Sequence, residues 1–454
     1  MSRLLISAAH KSSGKTTITL GLCAALAERG LAVQPFKKGP DYIDPMWLGQ
    51  ASGRPCHNLD FYCMSHAEIL STIGQYSSDA DISLIEGNKG LYDGLDLDGS
   101  NSNAALAKLT QSPVILVLDA RGMTRGIAPL ILGYQAFDPE ITIAGVILNQ
   151  LGGSRHEAKL RAVIEHYTDV AVLGGVHRHA QLEIIERHLG LMPSNEEDAS
   201  MSRIDAIRDI ISSEIDLDRV LQLADCPPLQ YEATSTATVT PGDRVRIGIA
   251  RDTAFGFYYP DDLIALQQAG AELVTINTLS DTALPDIDGL FIGGGFPEIQ
   301  MQALAGNQAL RHQIRAAIDN GLPAYAECGG LMYLCRSLVW QGQQHEMVGI
   351  IPADCAMHER PQGRGYVRLR ETSAMPWGDI HTGEIAAHEF HYSALENIAG
   401  PLTYAYDVVR GAGIDGSHDG IVIQNLLASY THMRDTRQNH WGRRFADFVR
   451  QCRQ

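Results

Sequence analysis

Short apolar runs alternate with amphipathic stretches along the first part of the chain. RLLISAA is followed by residues 17–29, where apolar side chains recur at helical spacing until Gly30. Further apolar runs, LAVQPFK, ISLIEG, PVILVLDA, IAGVILNQ and AVLGGV, are mostly separated by helical stretches. Continuous apolar strands that alternate with helices predict a parallel sheet with helices on both faces.

The pattern changes after about Pro193. NEEDASMSRIDAIRDIISSEIDLDRVLQLA has a polar, amphipathic helical pattern, and YEATSTATVTPGDR has no period at all, which is typical of a linker. A second α/β pattern then begins with VRIGIARD and continues through DDLIALQQAG, AELVTIN, DGLFIGGG and LPAYAECGG. We therefore predict two α/β domains, residues 1–195 and 245–454, joined by a helical linker over residues 196–244.

The composition and net charge of the chain argue against some classes of binding partner. The 454 residues include 36 Lys and Arg against 53 Asp and Glu, a net charge of −17, which repels nucleic acid and anionic lipid. The eight cysteines include no C-x-x-C pair and suit a reducing compartment. The N-terminus lacks the pattern of a signal peptide, and no run is long enough to span a bilayer. We expect a cytoplasmic protein without nucleic-acid or membrane partners.

The segment SAAHKSSGKTT, between the first strand and the first helix, carries most of a Walker A motif. Ala9 replaces the first glycine, and Gly14, Lys15 and Thr16 complete the pattern. Backbone N–H groups and the helix N-terminus would face phosphate, Lys15 would neutralise it, and Thr16 would bind Mg²⁺. The alternative is a plain small-residue turn. The residues expected to bind ATP are Ser12, Ser13, Gly14, Lys15, Thr16 and Thr17, with Asn149 at the base.

Two more segments suit a phosphoryl-transfer site. FKKGPDYIDP ends the second strand, where α/β sheets place ligands. Lys37 and Lys38 could hold phosphate or a substrate carboxylate, and Asp41 could hold Mg²⁺; a charged surface turn is the alternative. Glu86 ends the strand ISLIEG and suits Mg²⁺ coordination in the manner of a Walker B acid. The predicted metal ligands are Thr16, Asp41 and Glu86.

The second domain carries a candidate nucleophile. Cys328 follows the strand of AYAECGGLMYL and precedes two glycines and a helical run, which indicates a nucleophile elbow. We expect the helix N-terminus to lower the thiol pKa. Gly294 and Gly295, in FIGGGFPE, and Gly329 are expected to form an oxyanion hole. The alternative is a buried, inert cysteine.

A cysteine nucleophile needs a base, and the chain has 17 histidines. His432, in NLLASYTHM, follows an apolar strand-like run far downstream of Cys328, and we favour it. His388 and His391, in AAHEFHYS, are the other candidates. Substrate contact or structure would explain that pair, and no third ligand is evident for a metal.

Taken together, these motifs resemble the cobyrinate a,c-diamide synthase family over nearly the full length. The carriers, in order, are SSGKTT, FKKGPDYIDP, NLD, IEG…GLYDG, RHLGL, ARDTAFGFYYPDDL, GGGFPE, YAECGGLMYL, HEFHYS and SYTH. The resemblance implies an N-terminal P-loop parallel-sheet domain like that of dethiobiotin synthetase. It also implies a C-terminal α/β domain like class I glutamine amidotransferases.

The resemblance further implies an ATP-dependent carbon–nitrogen ligase. Cys328, with His432 as its base in a dyad, would release ammonia from glutamine. The first domain would use ATP and Mg²⁺ to activate the a and c acetates of a tetrapyrrole polycarboxylate. Ammonia channelled between the domains would then complete each amide. The oligomeric state is left open, with a homodimer as the candidate. The expected substrate-binding residues are Lys37, Lys38, Asp44, Lys89, Tyr92 and Asp93.

Two departures from the family pattern bear on the tetrapyrrole. Asn88 and Lys89 stand where the family has Val-Met, and MRDTRQNHWGRRF follows His432 in place of the usual His-aromatic pair. A sirohaem or sirohydrochlorin amide synthase is therefore an alternative. A ParA/MinD-like ATPase switch, or a first domain acting alone as in dethiobiotin synthetase, would explain SSGKTT but not the elbow.

Overall fold

The computed structural model describes residues 2–182, 186–187, 190–196, 200–232, 244–378 and 380–453. The chain divides into two compact units, residues 1–234 and residues 235–454. Each unit has its own large sheet flanked by helices, so the predicted α/β class is confirmed. In the described residues, no helix is both long and apolar enough to cross a bilayer.

The first unit is built around a seven-stranded sheet. Its strands are β1 (Ser2–Ala8), β2 (Val33–Lys38), β3 (His57–Leu59), β4 (Ile82–Glu86), β5 (Val114–Asp119), β6 (Ile143–Leu151) and β7 (Ala171–His177), with a small pair β8 (Glu186–Arg187) and β9 (Gly190–Leu191). Its helices are α1 (Lys15–Glu28), α2 (Ile43–Ser52), α3 (His66–Tyr76), α4 (Asn103–Thr110), α5 (Ile127–Phe137), α6 (Ser154–Tyr167), α7 (Ser200–Glu214) and α8 (Leu217–Leu223), with a 3₁₀ turn, Ala180–Leu182.

The sheet order brings three sequence motifs to one edge. The order is β3-β2-β4-β1-β5-β6-β7, and every pair within it is parallel. The strands read as continuous apolar runs because both faces are buried. Since β4 lies between β1 and β2, Glu86 pairs in register with Ile6 on one side and with Lys37 on the other. The turns after β1, β2 and β4 therefore meet at the carboxyl edge.

The segment expected as a linker, residues 196–244, contains α7 and α8, and both belong to the first unit. Helix α7 packs closely on α1, because a Cβ at Gly21 would overlap the Ile211 side chain. Residues 197–199 and 233–243 of that segment, which include most of YEATSTATVTPGDR, lie outside the described residues.

The second unit joins a parallel half-sheet to an antiparallel one. Its strands are β10 (Val245–Ala250), β11 (Phe255–Phe257), β12 (Ala271–Ile276), β13 (Gly289–Ile292), β14 (Gly294–Gly295), β15 (Ala324–Glu327), β16 (Cys335–Trp340), β17 (Gln343–Glu346), β18 (Ile351–Met357), β19 (Gly363–Glu371), β20 (Glu384–His391), β21 (Ser393–Glu396), β22 (Thr403–Arg410), β23 (His418–Ile423) and β24 (Leu426–Ser429). Its helices are α9 (Pro260–Gln268), α10 (Met301–Gly306), α11 (Gln308–Asp319), α12 (Gly329–Leu334) and α13 (Trp441–Cys452).

The nine-stranded sheet of this unit runs β12-β10-β13-β15-β24-β23-β22-β19-β20. The strands from β12 to β24 are parallel, and those from β23 onwards are antiparallel. Strand β15 carries the nucleophile segment and pairs with β24, which leads to His432. This one strand pair positions both candidate catalytic side chains.

Candidate functional site

The first unit holds a P-loop closed by its own side chains. Gly14 precedes α1 with a φ of 87°, and the preceding turn places Ser12 at a φ of 63°. The Ser13 hydroxyl donates to the His10 carbonyl at 2.8 Å, and the Asn149 amide donates to the Ser13 carbonyl at 2.9 Å. A Cβ at Gly14 would overlap that Asn149 amide, so only glycine fits there. The structure thus places Asn149 against the P-loop backbone.

The first turn of α1 points its functional groups at the carboxylate that ends β4. The Thr16 hydroxyl lies 2.6 Å from Glu86 Oε1 and 3.2 Å from Asp44 Oδ2. Lys15 is buried; desolvation lowers its pKa, and the nearby Glu86 carboxylate opposes that change. Ser12 is exposed and Thr17 is half-buried. Lys15 and Thr16 therefore face a buried acid at the carboxyl edge of the sheet.

Lys37 lies at the centre of this acidic group. Its side chain is 4% exposed, and its Nζ lies 2.5 Å from Asp44, 3.1 Å from Glu86 and 3.9 Å from Asp41. Burial alone would lower the pKa of Lys37, but the three carboxylates outweigh it and raise the pKa. Burial raises the pKa of Asp41 to about 7. Lys37 thus offsets part of the negative charge of this cluster from within.

One oxygen of the cluster has no hydrogen bond. Glu86 is fully buried, burial raises its pKa, and its Oε2 finds no hydrogen-bond partner among the described residues. No group of three His, Cys, Asp or Glu side chains in the described ranges forms a metal cage. Mg²⁺ needs no such cage, because it is usually held by one or two carboxylates together with substrate phosphates and water. The Thr16 hydroxyl beside Glu86 fits that mode of binding.

A second buried cation, Lys38, ends the same strand as Lys37. Lys38 is buried, which lowers its pKa to about 8, and its Nζ donates to Asn88 Oδ1 at 3.2 Å. Lys89 is exposed on the same turn with a φ of 44°. Asn88 and Lys89, the departures from the family pattern, therefore lie beside Lys38.

Tyr92 and Asp93 follow on the same loop. The Tyr92 hydroxyl donates to the Tyr134 carbonyl, and the Tyr134 hydroxyl donates to the Ala9 carbonyl, both at 2.5 Å. Asp93 is exposed and accepts the Gly90 amide at 2.9 Å. The aromatic pair therefore connects this loop to the start of the P-loop.

Sequence reasoning missed Asn103, the residue that fixes the loop over residues 87–90. It is fully buried at the start of α4. Its amide donates to the Asn88 carbonyl, to the Gly90 carbonyl at 2.9 Å and to the Ser7 hydroxyl at 3.1 Å, and its Oδ1 accepts the Asn88 amide at 3.2 Å. Nothing in GSNSNAAL distinguishes this asparagine from Asn101.

The second unit holds Cys328 on a strained turn. Cys328 has a φ of 47° and a ψ of −101°, is 7% exposed, and donates its backbone N–H to the Ser429 carbonyl at 2.7 Å. Positive φ at a non-glycine residue is a sign of the nucleophile elbow. The expectation of a lowered thiol pKa is wrong: burial raises the pKa, with a further increase from Glu298, and outweighs the Gly329 N–H that donates to the sulfur.

The glycines expected at the oxyanion hole converge on this turn. A Cβ on Gly329 would lie 2.9 Å from the Gly295 nitrogen, and a Cβ on Gly294 would lie 2.6 Å from His432 Cε1. A side chain at Gly295 would overlap the Ala254 carbonyl. The structure therefore brings these glycines together with Cys328 and His432, and bare backbone is required at each position.

His432 packs against the other candidate base. The rings of His432 and His388 stack with centroids 5.0 Å apart, and the two residues pair through their backbones. Burial lowers the pKa of His388 well below its usual value, with smaller effects from His432 and Arg434. His432 Nδ1 lies 3.4 Å from Glu327 Oε2. The sequence alone assigned no function to Glu327, although this residue directly precedes Cys328.

His391 belongs to a different group of side chains. Its ring stacks on Tyr430 at 3.8 Å, and its Nδ1 lies 2.8 Å from the Ser393 carbonyl. It is buried on β20, three residues beyond His388. The spaced histidine pair is therefore split between the Cys328 neighbourhood and the Tyr430 side of the strand.

Both units match known domain families. Residues 5–191 match the CobQ/CobB/MinD/ParA nucleotide binding domain, and residues 246–439 match the CobB/CobQ-like glutamine amidotransferase domain. Together with the P-loop and the cysteine elbow, these matches define the chain as a nucleotide-binding domain joined to a glutamine amidotransferase domain.

Similar proteins span the whole chain. A cobyrinate a,c-diamide synthase of Magnetococcus marinus is 46% identical over 99% of this chain and 97% of its own length. Those of Methanosarcina acetivorans and Archaeoglobus fulgidus are 41% and 40% identical, over 95% and 98% of this chain and 92% and 96% of their own. The chain belongs to the cobyrinate a,c-diamide synthase family.

Proposed function

We propose that the protein is an ATP- and glutamine-dependent ligase that converts the a and c acetate side chains of cobyrinate into amides. The observation that carries this proposal is the near full-length similarity to enzymes named cobyrinate a,c-diamide synthase. A partner-binding ATPase switch would leave the second unit and its strained cysteine turn without a role. No relative reported above favours sirohaem as the substrate.

The second unit supplies ammonia. Cys328 Sγ attacks the side-chain amide carbon of glutamine, and its proton passes to His432. The backbone N–H groups around Gly295 and Gly329 face the oxyanion. His432 then gives the proton to the departing nitrogen, and water hydrolyses the thioester to glutamate. Releasing ammonia inside the enzyme keeps it in the unprotonated, nucleophilic form.

The first unit activates the carboxylate. The substrate carboxylate attacks the γ-phosphorus of ATP, the β–γ bond breaks, and ADP leaves. Ammonia then attacks the acyl phosphate, an amide forms, and inorganic phosphate leaves. Lys15 offsets the charge on the transferred group, and the P-loop N–H groups bind the phosphates. Lys89 follows β4, the strand next to β1, and Lys38 ends β2, one strand further; both bind carboxylates of the macrocycle.

Mg²⁺ is part of this proposal. Thr16 and Glu86 would hold the ion, with Asp41 and Asp44 beside them, and the unpartnered Glu86 Oε2 supports that fit. When bound, Mg²⁺ neutralises phosphate oxygens during transfer. Lys37, with its own charge already matched by the cluster, orients these carboxylates.

We also propose a functional division of the chain. Residues 1–195 carry the ligase chemistry, and residues 245–454 carry the glutamine chemistry. The segment of residues 196–244 connects the two, and the packing of α7 on α1 supports assigning its helices a supporting role in the first unit.

The variant Cys328→Ala tests the proposal. With cobyrinate, ATP and glutamine it should form no diamide, and with added ammonia it should retain activity, both followed by mass spectrometry. Cys452→Ala, which changes an exposed cysteine, is the matched control and should behave as wild type. Diamide formation from glutamine by Cys328→Ala would contradict the cysteine assignment. ATP hydrolysis that is indifferent to cobyrinate, while sirohaem stimulates it, would contradict the substrate.

A further inference from the structure

The inner nitrogen of His432 faces a buried carboxylate. His432 Nδ1 lies 3.4 Å from Glu327 Oε2, and both side chains are 3% exposed. The other oxygen, Glu327 Oε1, accepts the Met433 amide at 2.8 Å and the Tyr325 hydroxyl at 2.6 Å. Two donors therefore fix one oxygen and leave the other directed at the imidazole.

The chemistry of the thiol requires a defined imidazole tautomer. Because burial raises the pKa of Cys328, the thiolate is not preformed and its proton must leave as the sulfur attacks. The base must then present a lone pair on Nε2, and its own proton must sit on Nδ1. A carboxylate at Nδ1 selects that tautomer and stabilises the imidazolium that forms.

We infer that Glu327 is a positioning residue whose carboxylate holds the Nδ1 proton of His432, so that Nε2 accepts the proton of Cys328. The inference rests on the proposed function. No proton passes to Glu327: the thiol proton moves to Nε2 and then to the departing ammonia, so the cycle leaves Glu327 unchanged. A separation of 3.4 Å is long for a hydrogen bond, and such contacts often tighten when substrate binds.

The other titratable neighbours of His432 do not supply this function. His388 stacks on the face of the ring, and its lowered pKa keeps it neutral. Arg434 forms an ion pair with Asp261 at 3.1 Å and lies over the Tyr259 ring. A neutral ring and a cation cannot stabilise an imidazolium as the Glu327 carboxylate does.

The variant Glu327→Gln separates the charge of this side chain from its shape. The carboxamide oxygen can still accept from Met433 and Tyr325, but its NH₂ group now faces Nδ1. That NH₂ donates to Nδ1 and drives the imidazole proton onto Nε2, where it blocks acceptance from the thiol. The matched control is Glu272→Gln, the same change at an exposed glutamate on β12, three strands from β15 in the sheet.

The experiment is the pH dependence of kcat/KM for glutamine hydrolysis by the full-length enzyme, with ammonia-driven amidation as the test of an intact fold. For Glu327→Gln we expect the plateau to fall about 10- to 1000-fold. The acidic limb of the pH profile should move to lower pH by about one unit or more, because the His432 imidazolium loses its carboxylate partner. Ammonia-driven activity should stay unchanged, and Glu272→Gln should match wild type.

Three results would overturn the inference. The first is a Glu327→Gln enzyme with wild-type kcat/KM and the wild-type acidic limb. The second is an equal loss of glutamine- and ammonia-driven activity with no movement of the limb, which would make Glu327 structural. The third is an equal loss in Glu272→Gln. A wild-type enzyme that hydrolyses glutamine but leaves cobyrinate unchanged would contradict the proposed substrate and leave the role of Glu327 supported.

Discussion

Replacing Asn103 with Ala should loosen the loop that connects β4 to the proposed substrate-binding residues Lys89, Tyr92 and Asp93. The Asn103 carboxamide alone serves both backbone groups of Asn88, and it shares the Gly90 carbonyl with the Asp93 amide. A buried group left without a partner costs about 1–3 kcal/mol. Because Asn88 is only half-buried, we take the lower part of that range, about 1–2 kcal/mol for each of its two backbone groups, which gives about 2–4 kcal/mol. The variant Asn103→Asp, which keeps the shape but loses both donor hydrogens, should cost at least as much.

Hydrogen exchange measures this cost locally. The Gly87 and Leu91 amides donate to the Ile6 and Ala8 carbonyls at 2.9 and 2.8 Å, so they exchange only when the loop opens. A loss of about 2–4 kcal/mol corresponds to exchange faster by about 30- to 700-fold. Asn101→Ala, which removes an acceptor of the Leu95 amide, is the control and should leave Leu91 protected. Exchange at Leu91 within threefold of wild type in Asn103→Ala would refute the reasoning.

Three further predictions concern charges. Because the pKa of Lys38 is about 8, kcat/KM for cobyrinate should fall as pH rises through about 8. Lys38→Arg should abolish this alkaline limb of the pH profile, and an unchanged limb would contradict the assignment of Lys38 to substrate binding. Arg444→Met should lower the free energy of unfolding of the second unit by about 3–5 kcal/mol in urea titrations, because it leaves the fully buried Glu371 carboxylate unpaired; a change below about 1 kcal/mol would contradict this. The Arg336 guanidinium lowers the pKa of Asp354, so this ion pair stabilises the fold fully above about pH 4 and progressively less at lower pH. In Asp354→Asn, the unfolding midpoint should therefore depend less on pH across that range.

Features encoded in a continuous stretch of chain could be predicted from the sequence. SSGKTT specifies a phosphate loop because strand, glycine and helix follow one another, and YAECGG specifies an elbow for the same reason. The contacts of Asn149, Asn103 and Glu327 could not be predicted, because each depends on a partner from a distant or differently paired segment. Asn149 meets the P-loop only because β6 lies two strands from β1 in the sheet. Glu327 meets His432 only because β15 pairs with β24.

The pKa of Cys328 shows a different limit of sequence reasoning. The position before a helix predicts a lowered value, yet α12 has only six residues and its first turn is buried. Desolvation of the thiolate therefore outweighs the helix terminus. Burial depends on how strands β13, β15 and β24 and the Gly294–Gly295 turn pack around the sulfur, and the local sequence does not contain that information.

The buried, protonated state of Cys328 also protects the enzyme chemically. Peroxide and other oxidants attack thiolates that solvent can reach, and sulfinic and sulfonic acids are essentially permanent losses. At rest Cys328 offers neither the charge nor the access, whereas Cys452 lies exposed at the end of the last helix. An oxidative burst should therefore oxidise Cys452 first, while Cys328, the proposed nucleophile, stays reduced in the resting enzyme and can resume ammonia release afterwards.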